Sequence, residues 1–311
     1  SFFKHIDSAN VYKKKDIEKS LAFLELELKE KATSERNAQA YKVLGDVYFY
    51  WKQYDLAIKN YSNSLRFKKD IKVRISNANS LILADSLQNA VKELTNLKKE
   101  KLSAYQKVQV FEGLGDAYLK LKKYTRSQQS YESALKVAED NLIKPKITDI
   151  NSKIADVYDA EGNTQEANKR YLNSLQLAAQ ENKRRSVKEK EKVANFYNKR
   201  RLFDKEIQLR KETLKETDVS SNKDSLLNEP SPITPQTINY KIGRAYVEKG
   251  DNKKAIPFLK KSIEDSKTSE NLVVKKDATR KLSEAYADEG DYSKALKTYQ
   301  DYVEVVDELY L

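Results

Sequence analysis

The chain has 311 residues, with 59 Lys and Arg against 47 Asp and Glu for a net charge of +12, and only 7 Gly and 5 Pro. Charged residues at 34% and hydrophobic ones at 39% suit long, well-solvated helices rather than sheets and tight turns. There is no Cys and a single histidine, His5, which excludes disulfides, thiol chemistry, cysteine-ligated zinc and any multi-histidine site. No window approaches the roughly 18 consecutive apolar residues of a membrane span, and no cofactor or metal motif is present.

Self-similarity organises the rest. In chain order the blocks are Leu44-Gly45-Asp46-Val47-Tyr48, Leu114-Gly115-Asp116-Ala117-Tyr118, Ile154-Ala155-Asp156-Val157-Tyr158, Ile242-Gly243-Arg244-Ala245-Tyr246 and Leu282-Ser283-Glu284-Ala285-Tyr286. Nine residues after each Tyr stands a small residue: Ala57, Ser127, Ala167, Ala255 and Ala295. Small residues at two fixed places let paired antiparallel helices approach closely, and the aromatics, with a second set at Tyr61, Tyr131, Tyr171 and Tyr299, fill the remaining gap.

These blocks resemble the tetratricopeptide repeat (TPR) family, whose 34-residue unit carries a large apolar residue and a small one at positions 7 and 8, an aromatic at 11 and a small residue at 20. The resemblance covers nearly the whole chain and implies an all-α fold, a right-handed superhelical solenoid of about eight helix-turn-helix units. On that phase the repeats fall at 1–34, 38–71, 71–104, 108–141, 148–181, 187–220, 236–269 and 276–309, with repeats 1, 3 and 6 degenerate. The expected organisation is therefore 1–220 for repeats 1 to 6, a Pro- and Ser-rich loop over 221–235, and 236–311 for repeats 7 and 8 with a long C-terminal helix. The prolines agree: Pro230, Pro232 and Pro235 fall in or at the end of the loop, Pro145 precedes repeat 5, and Pro257 is expected near the first turn of its helix. Spacings near 40 predict helices a turn longer, or loops longer, than the minimal unit. The last helix carries Val303, Val306, Leu309 and Tyr310 at helical spacing, and with no Met in the chain the natural protein is expected to extend beyond this sequence.

The resemblance implies a non-catalytic module in which the first helices line a concave groove, with positions 2, 5, 6, 9, 12 and 13 meeting a protein or peptide ligand. On that phase repeats 2 to 5 present Asp46, Glu112, Asp116, Asp149, Asp156 and Asp159, and repeats 6 to 8 present Lys188, Lys192, Lys199, Lys241, Arg244, Arg280 and Lys281 with Asn195 and Asn198. The expected groove is bipolar, with Lys188, Lys192, Asn195, Lys199, Tyr240, Lys241, Arg244, Arg280, Asp116, Asp156 and Tyr50 as its partner-binding residues. The lysine–asparagine clamp of chaperone-binding TPR domains is missing: Lys42 is followed by Asp46, then Ser76, Gln109 and Gly113.

Between Lys183 and Lys211 twelve basic residues face four acidic ones, and Phe196, Tyr197 and Phe203 interleave them. This segment of repeat 6 carries the alternative readings, a general assembly scaffold or a nucleic-acid-binding adaptor, although the repeat phase assigns those rings mostly to the core. More distantly, the array and its closing phrase Ala295-Leu296-Lys297-Thr298-Tyr299-Gln300-Asp301-Tyr302 resemble the N-terminal sensory regions of bacterial two-component histidine kinases and regulators. That resemblance implies a periplasmic input region of a larger protein; a cytoplasmic location is the alternative.

Overall fold

A small residue nine positions after an aromatic dictates a helical hairpin, and the computed structural model, which describes residues 4–29, 33–218 and 233–311, forms sixteen α-helices in that span and no strand. They run as eight successive pairs: α1 Lys4–Tyr12 and α2 Ile17–Lys29; α3 Ser34–Tyr50 and α4 Tyr54–Phe67; α5 Ile71–Leu83 and α6 Leu87–Leu97; α7 Ala104–Lys120 and α8 Tyr124–Asp140. Then come α9 Lys144–Ala160 and α10 Thr164–Glu181; α11 Lys183–Lys199 and α12 Phe203–Asp218; α13 Pro235–Lys249 and α14 Asn252–Ser269; α15 Leu272–Asp288 and α16 Tyr292–Tyr310. Most of the loop expected over 221–235 lies outside the described residues.

The longer spacing goes into both helices of a pair: α8, α10 and α14 run 17–18 residues against 14 and 11 for α4 and α6, and polar caps start several first helices early. Thr33 accepts from Arg36 N, Asn182 from Arg185 N and Asn271 from Val274 N. Ser103 and Gln106 form a reciprocal capping box at the start of α7. Each such side chain satisfies a backbone N–H that has no partner inside the helix.

The turns between partners are as regular as the helices. Position 15 of each of repeats 2 to 8 is left-handed: Lys52, Asp85, Lys122, Gly162, Arg201, Gly250 and Gly290 have φ between 59° and 95°. The next N–H returns to the carbonyl at position 11, as in Gln53 to Tyr48, Lys123 to Tyr118 and Asp251 to Tyr246 at 2.8–2.9 Å. This is the Schellman closure, for which glycine carries the least strain.

Two compact units divide the chain, residues 1–170 and 171–311. In the first, Leu94 packs with Ile82 and Leu114, and Tyr131 with Ile150 and Ile154. In the second, Ile242, Leu259, Leu282 and Tyr286 share one cluster. The small residues of the pattern, Ala57, Ala167 and Ala255, are fully buried. A Cβ on Gly45 would lie 2.5 Å from Tyr61 Cε1, and one on Gly243 would lie 2.6 Å from Leu259 Cδ2, so the side chain at position 24 rests on the bare backbone at position 8.

Two details differ from expectation or extend it. Pro257 is the sixth residue of α14, past the first turn, so it removes an interior backbone donor. On α16, Val303 and Tyr310 are exposed, along with Leu296 and Tyr299.

Candidate partner-binding surface

Repeat 6 breaks the spacing rule at both places where the other repeats hold a small residue and a Tyr or Leu. Position 20 is Glu206 and position 24 is Arg210, and the two are 0% and 1% exposed. Buried charges are tolerated only when every group is paired, and here the pairing extends over three helices. Arg210 Nε donates to Glu206 Oε2 at 2.8 Å, Nη1 to Glu191 Oε2 at 2.9 Å and Nη2 to Asn195 Oδ1 at 3.0 Å. The other Glu206 oxygen accepts from Asn198 Nδ2 at 3.0 Å, and the other Glu191 oxygen is held by Lys241 Nζ at 2.5 Å. Arg244 lies 3.9 Å from both Glu206 and Glu248. The positive charges of Lys241 and Arg244 are thus compensated inside the fold.

The first compact unit contains the same arrangement in its more common chemistry. From position 24, Tyr131 Oη donates to Asp116 Oδ1 at position 9, as Tyr61 Oη donates to Asp46 at 2.6 Å. Lys153, at position 6 of the following repeat, lies 3.0 Å from both Asp116 and Glu112, and Lys146 donates to the second Glu112 oxygen at 2.8 Å. Glu112 and Lys153 therefore match Glu191 and Lys241 position for position.

Burial raises the Glu112 carboxyl, but Lys153 and Lys146 outweigh it and hold it below its ordinary 4.5. Asp116 goes the other way: burial raises it, Glu112 adds repulsion, and Lys153 and Tyr131 only partly offset them. Lys153 serves both acids. Burial disfavours its charge, yet Asp116 and Glu112 together raise it above 10.5. Burial first and Asp116 second push the Tyr131 phenol far up, so it remains a donor at physiological pH.

The remaining predicted residues are distributed as follows. Lys188, Asn195, Lys199 and Arg280 are exposed, while Lys192 and Asp156 are half-buried. Lys192 Nζ lies 5.8 Å from the Tyr171 ring, and the Arg280 guanidinium lies 6.0 Å from the ring of Tyr302. Tyr240 is half-buried beneath Arg244 at 5.6 Å; burial raises its phenol and Arg244 opposes the rise. Tyr50 is 47% exposed, with Lys14 Nζ 5.5 Å above it and Trp51 edge-on at 5.6 Å. Trp51 in turn donates from Nε1 to Lys13 O at 2.7 Å, tying this turn to the end of the first hairpin's opening helix.

The acidic set Asp46, Glu112, Asp116, Asp149, Asp156 and Asp159 belongs to the first compact unit, and the basic set belongs to the second. In the basic segment, Phe196, Tyr197 and Phe203 are buried and present no open ring face for stacking. Glu206 and Arg210 were the residues that sequence reasoning missed. The available signal was a pair of charges at positions 20 and 24 above an asparagine at position 9. Among the described residues no group of three or more His, Asp or Glu could hold a metal ion, and no helix is long and apolar enough to cross a membrane.

A family model described as tetratricopeptide repeat matches residues 108–141 and 237–264. No curated protein matches the sequence. Among solved structures, the fold is similar to a signal transduction ATPase with numerous domains carrying a tetratricopeptide repeat sensor, from Pyrococcus horikoshii, with a TM-score of 0.62, 15% identity, and 95% of this chain and 46% of that one covered. It is similar to the apo form of the quorum sensor NprR from B. thuringiensis, with a TM-score of 0.59, 15% identity and coverage of 98% and 87%. It is also similar to a Rap protein complexed with competence and sporulation factor, with a TM-score of 0.56, 15% identity and coverage of 97% and 83%. The chain carries tetratricopeptide repeats and has the paired-helix architecture of that fold.

Proposed function

We propose that the chain is a non-catalytic module that binds an extended protein or peptide segment along the first helices of repeats 6 to 8, α11, α13 and α15. The observation that carries this reading is the surface of α11, where exposed Lys188, Asn195 and Lys199 stand over the ionic lattice of Glu191, Glu206, Arg210 and Lys241. A face held rigid from beneath loses little entropy when a ligand binds, which is what preorganisation contributes to affinity. The exposed lysines would also steer acidic segments toward it at low salt.

The finer reading, a sensory input region of a larger signalling protein, is supported by two of the similar structures being sensors. Its periplasmic, two-component form is supported by the closing phrase at 295–302. Ligand binding would then favour one arrangement of the repeats over another, and the difference in affinity would set the size of the response.

The test is selection of a random heptapeptide phage library on the intact chain. Enrichment of acidic sequences over an unrelated helical protein is expected, with affinity at least about tenfold weaker in the Lys188→Glu, Lys199→Glu double variant at low salt. No enrichment, or enrichment indifferent to the double variant, would sink the reading.

A further inference from the structure

The buried pair in repeat 6 does more than fill the core, because it fixes which way two amides face. An asparagine side chain has a donor end and an acceptor end that can exchange by a flip, and only its partners decide between them. Arginine has donors only, so Arg210 Nη2 at 3.0 Å obliges Asn195 to turn its Oδ1 inward. Asn195 is exposed, and its Nδ2 donor faces outward. Carboxylates have acceptors only, so Glu206 Oε1 at 3.0 Å, with Glu248 Oε2 at 3.5 Å, obliges Asn198 to turn its Nδ2 inward. Its Oδ1 carries no hydrogen bond among the described residues, and it is not among the buried atoms that lack a partner.

Asn195 and Asn198 are three residues apart on α11, so they share a face, with Cβ atoms about 5–6 Å apart. The result is one outward donor beside one outward acceptor, neither free to flip. A residue in an extended chain presents the complementary pair, a C=O and an N–H on the same side, which is how one strand residue exchanges both its bonds with another. Main-chain groups occur at every residue, so such a pair would grip a peptide with little regard to sequence and leave specificity to flanking charges.

We infer that Asn195 and Asn198 form a polarity-fixed amide pair that binds the main chain of an extended peptide, with Arg210 and Glu206 as the positioning residues that set its direction. This deepens the function proposed above and rests on it. It also accounts for the degeneracy of repeat 6: a small residue at position 20 and a tyrosine at position 24 would orient Asn195 but leave Asn198 free to turn.

The experiment uses a heptapeptide recovered from the phage selection on the intact wild-type chain, together with a scan in which each backbone amide is replaced in turn by an ester. Asn195→Asp keeps the inward acceptor for Arg210 and replaces the outward donor with an oxygen, so the fold is retained. Affinity is expected to fall about tenfold or more, the cost of one hydrogen bond, with an unchanged melting temperature. One ester position in the scan should weaken binding to wild type about tenfold and have no effect on binding to Asn198→Ala. Peptides that bind wild type, Asn195→Asp and Asn198→Ala equally, or a scan with no sensitive position, would overturn the amide pair while leaving peptide binding standing. Failure to recover any peptide would overturn both.

Discussion

Replacing Arg210 with tyrosine, the residue at position 24 in repeats 2, 4, 5 and 8, looks like a repair of the pattern and is expected to be severely damaging. Glu206 is 0% exposed, and without Arg210 it keeps only Asn198 at 3.0 Å and a guanidinium 3.9 Å away. Stranding a buried charge in this way costs about 3–5 kcal/mol, or a fall of about 10–20 °C in melting temperature for a compact unit of this size. Changing Glu206→Ala at the same time removes the stranded charge and restores the small residue of the other repeats. The new phenol can then donate to Asn195 Oδ1 as Tyr131 donates to Asp116. The double variant is expected within about 1 kcal/mol of wild type, or above it, since well-packed replacements of buried ion pairs are often neutral or stabilising. Urea and thermal unfolding followed by circular dichroism at 222 nm measure wild type, the Arg210→Tyr and Glu206→Ala single variants and the double variant. A coupling of at least about 3 kcal/mol is the signature; an Arg210→Tyr variant as stable as wild type, or a double variant no better than the single, refutes the reasoning.

Three further outcomes follow from the packing. Gly45→Ala places a methyl 2.5 Å from the Tyr61 ring, whose Oη is bonded to Asp46 at 2.6 Å, so overpacking should cost about 1–3 kcal/mol in urea titrations; an unchanged midpoint would show that the ring gives way. Lys52→Gly and Lys122→Gly should each add about 0.5–1 kcal/mol, because φ near 61° strains any side chain there, and a lowered melting temperature for the double variant would contradict this. Glu112→Gln is expected to cost about 1–2 kcal/mol at pH 7 by releasing Lys146 and Lys153. Because the Glu112 carboxyl is lowered in the fold, its stabilisation is present above pH 4.5 and lost as the pH falls through its folded value. The gap between wild type and Glu112→Gln should therefore narrow below pH 4.5, and a constant gap down to pH 3 would show that the carboxylate is not what stabilises the fold.

The fold was legible because its determinants recur. Small residues at Ala57, Ala167 and Ala255 are where helices touch, and Tyr61 and Tyr131 are the rings that close over Gly45 and Gly115. Helix starts were less visible, because they depend on single capping residues such as Thr33 and Asn182, which the repeat phase does not contain. The position of Pro257 shifted for the same reason. The candidate surface was legible by position but not by partner. The repeat phase nominated Lys241 and Arg244 as ligand-facing charges, yet it carries no information on which acids lie across the interface, and Glu191 and Glu206 of the preceding repeat lie within 4 Å of them. Arg210 was hidden because a charge at a core position reads as degeneracy until its three acceptors are seen together.

The lysine at position 6 that reaches back to a carboxylate of the preceding repeat makes neighbours unequal. Repeat 5 cannot be removed or exchanged for a generic module without leaving Glu112 buried and cationless, whereas loss of repeat 7 would take Lys241 from Glu191 and leave it to Arg210 alone. Each such seam has a polarity, so the order of these modules is written into their contacts. Anyone trimming or splicing the array should cut where no lysine crosses the joint.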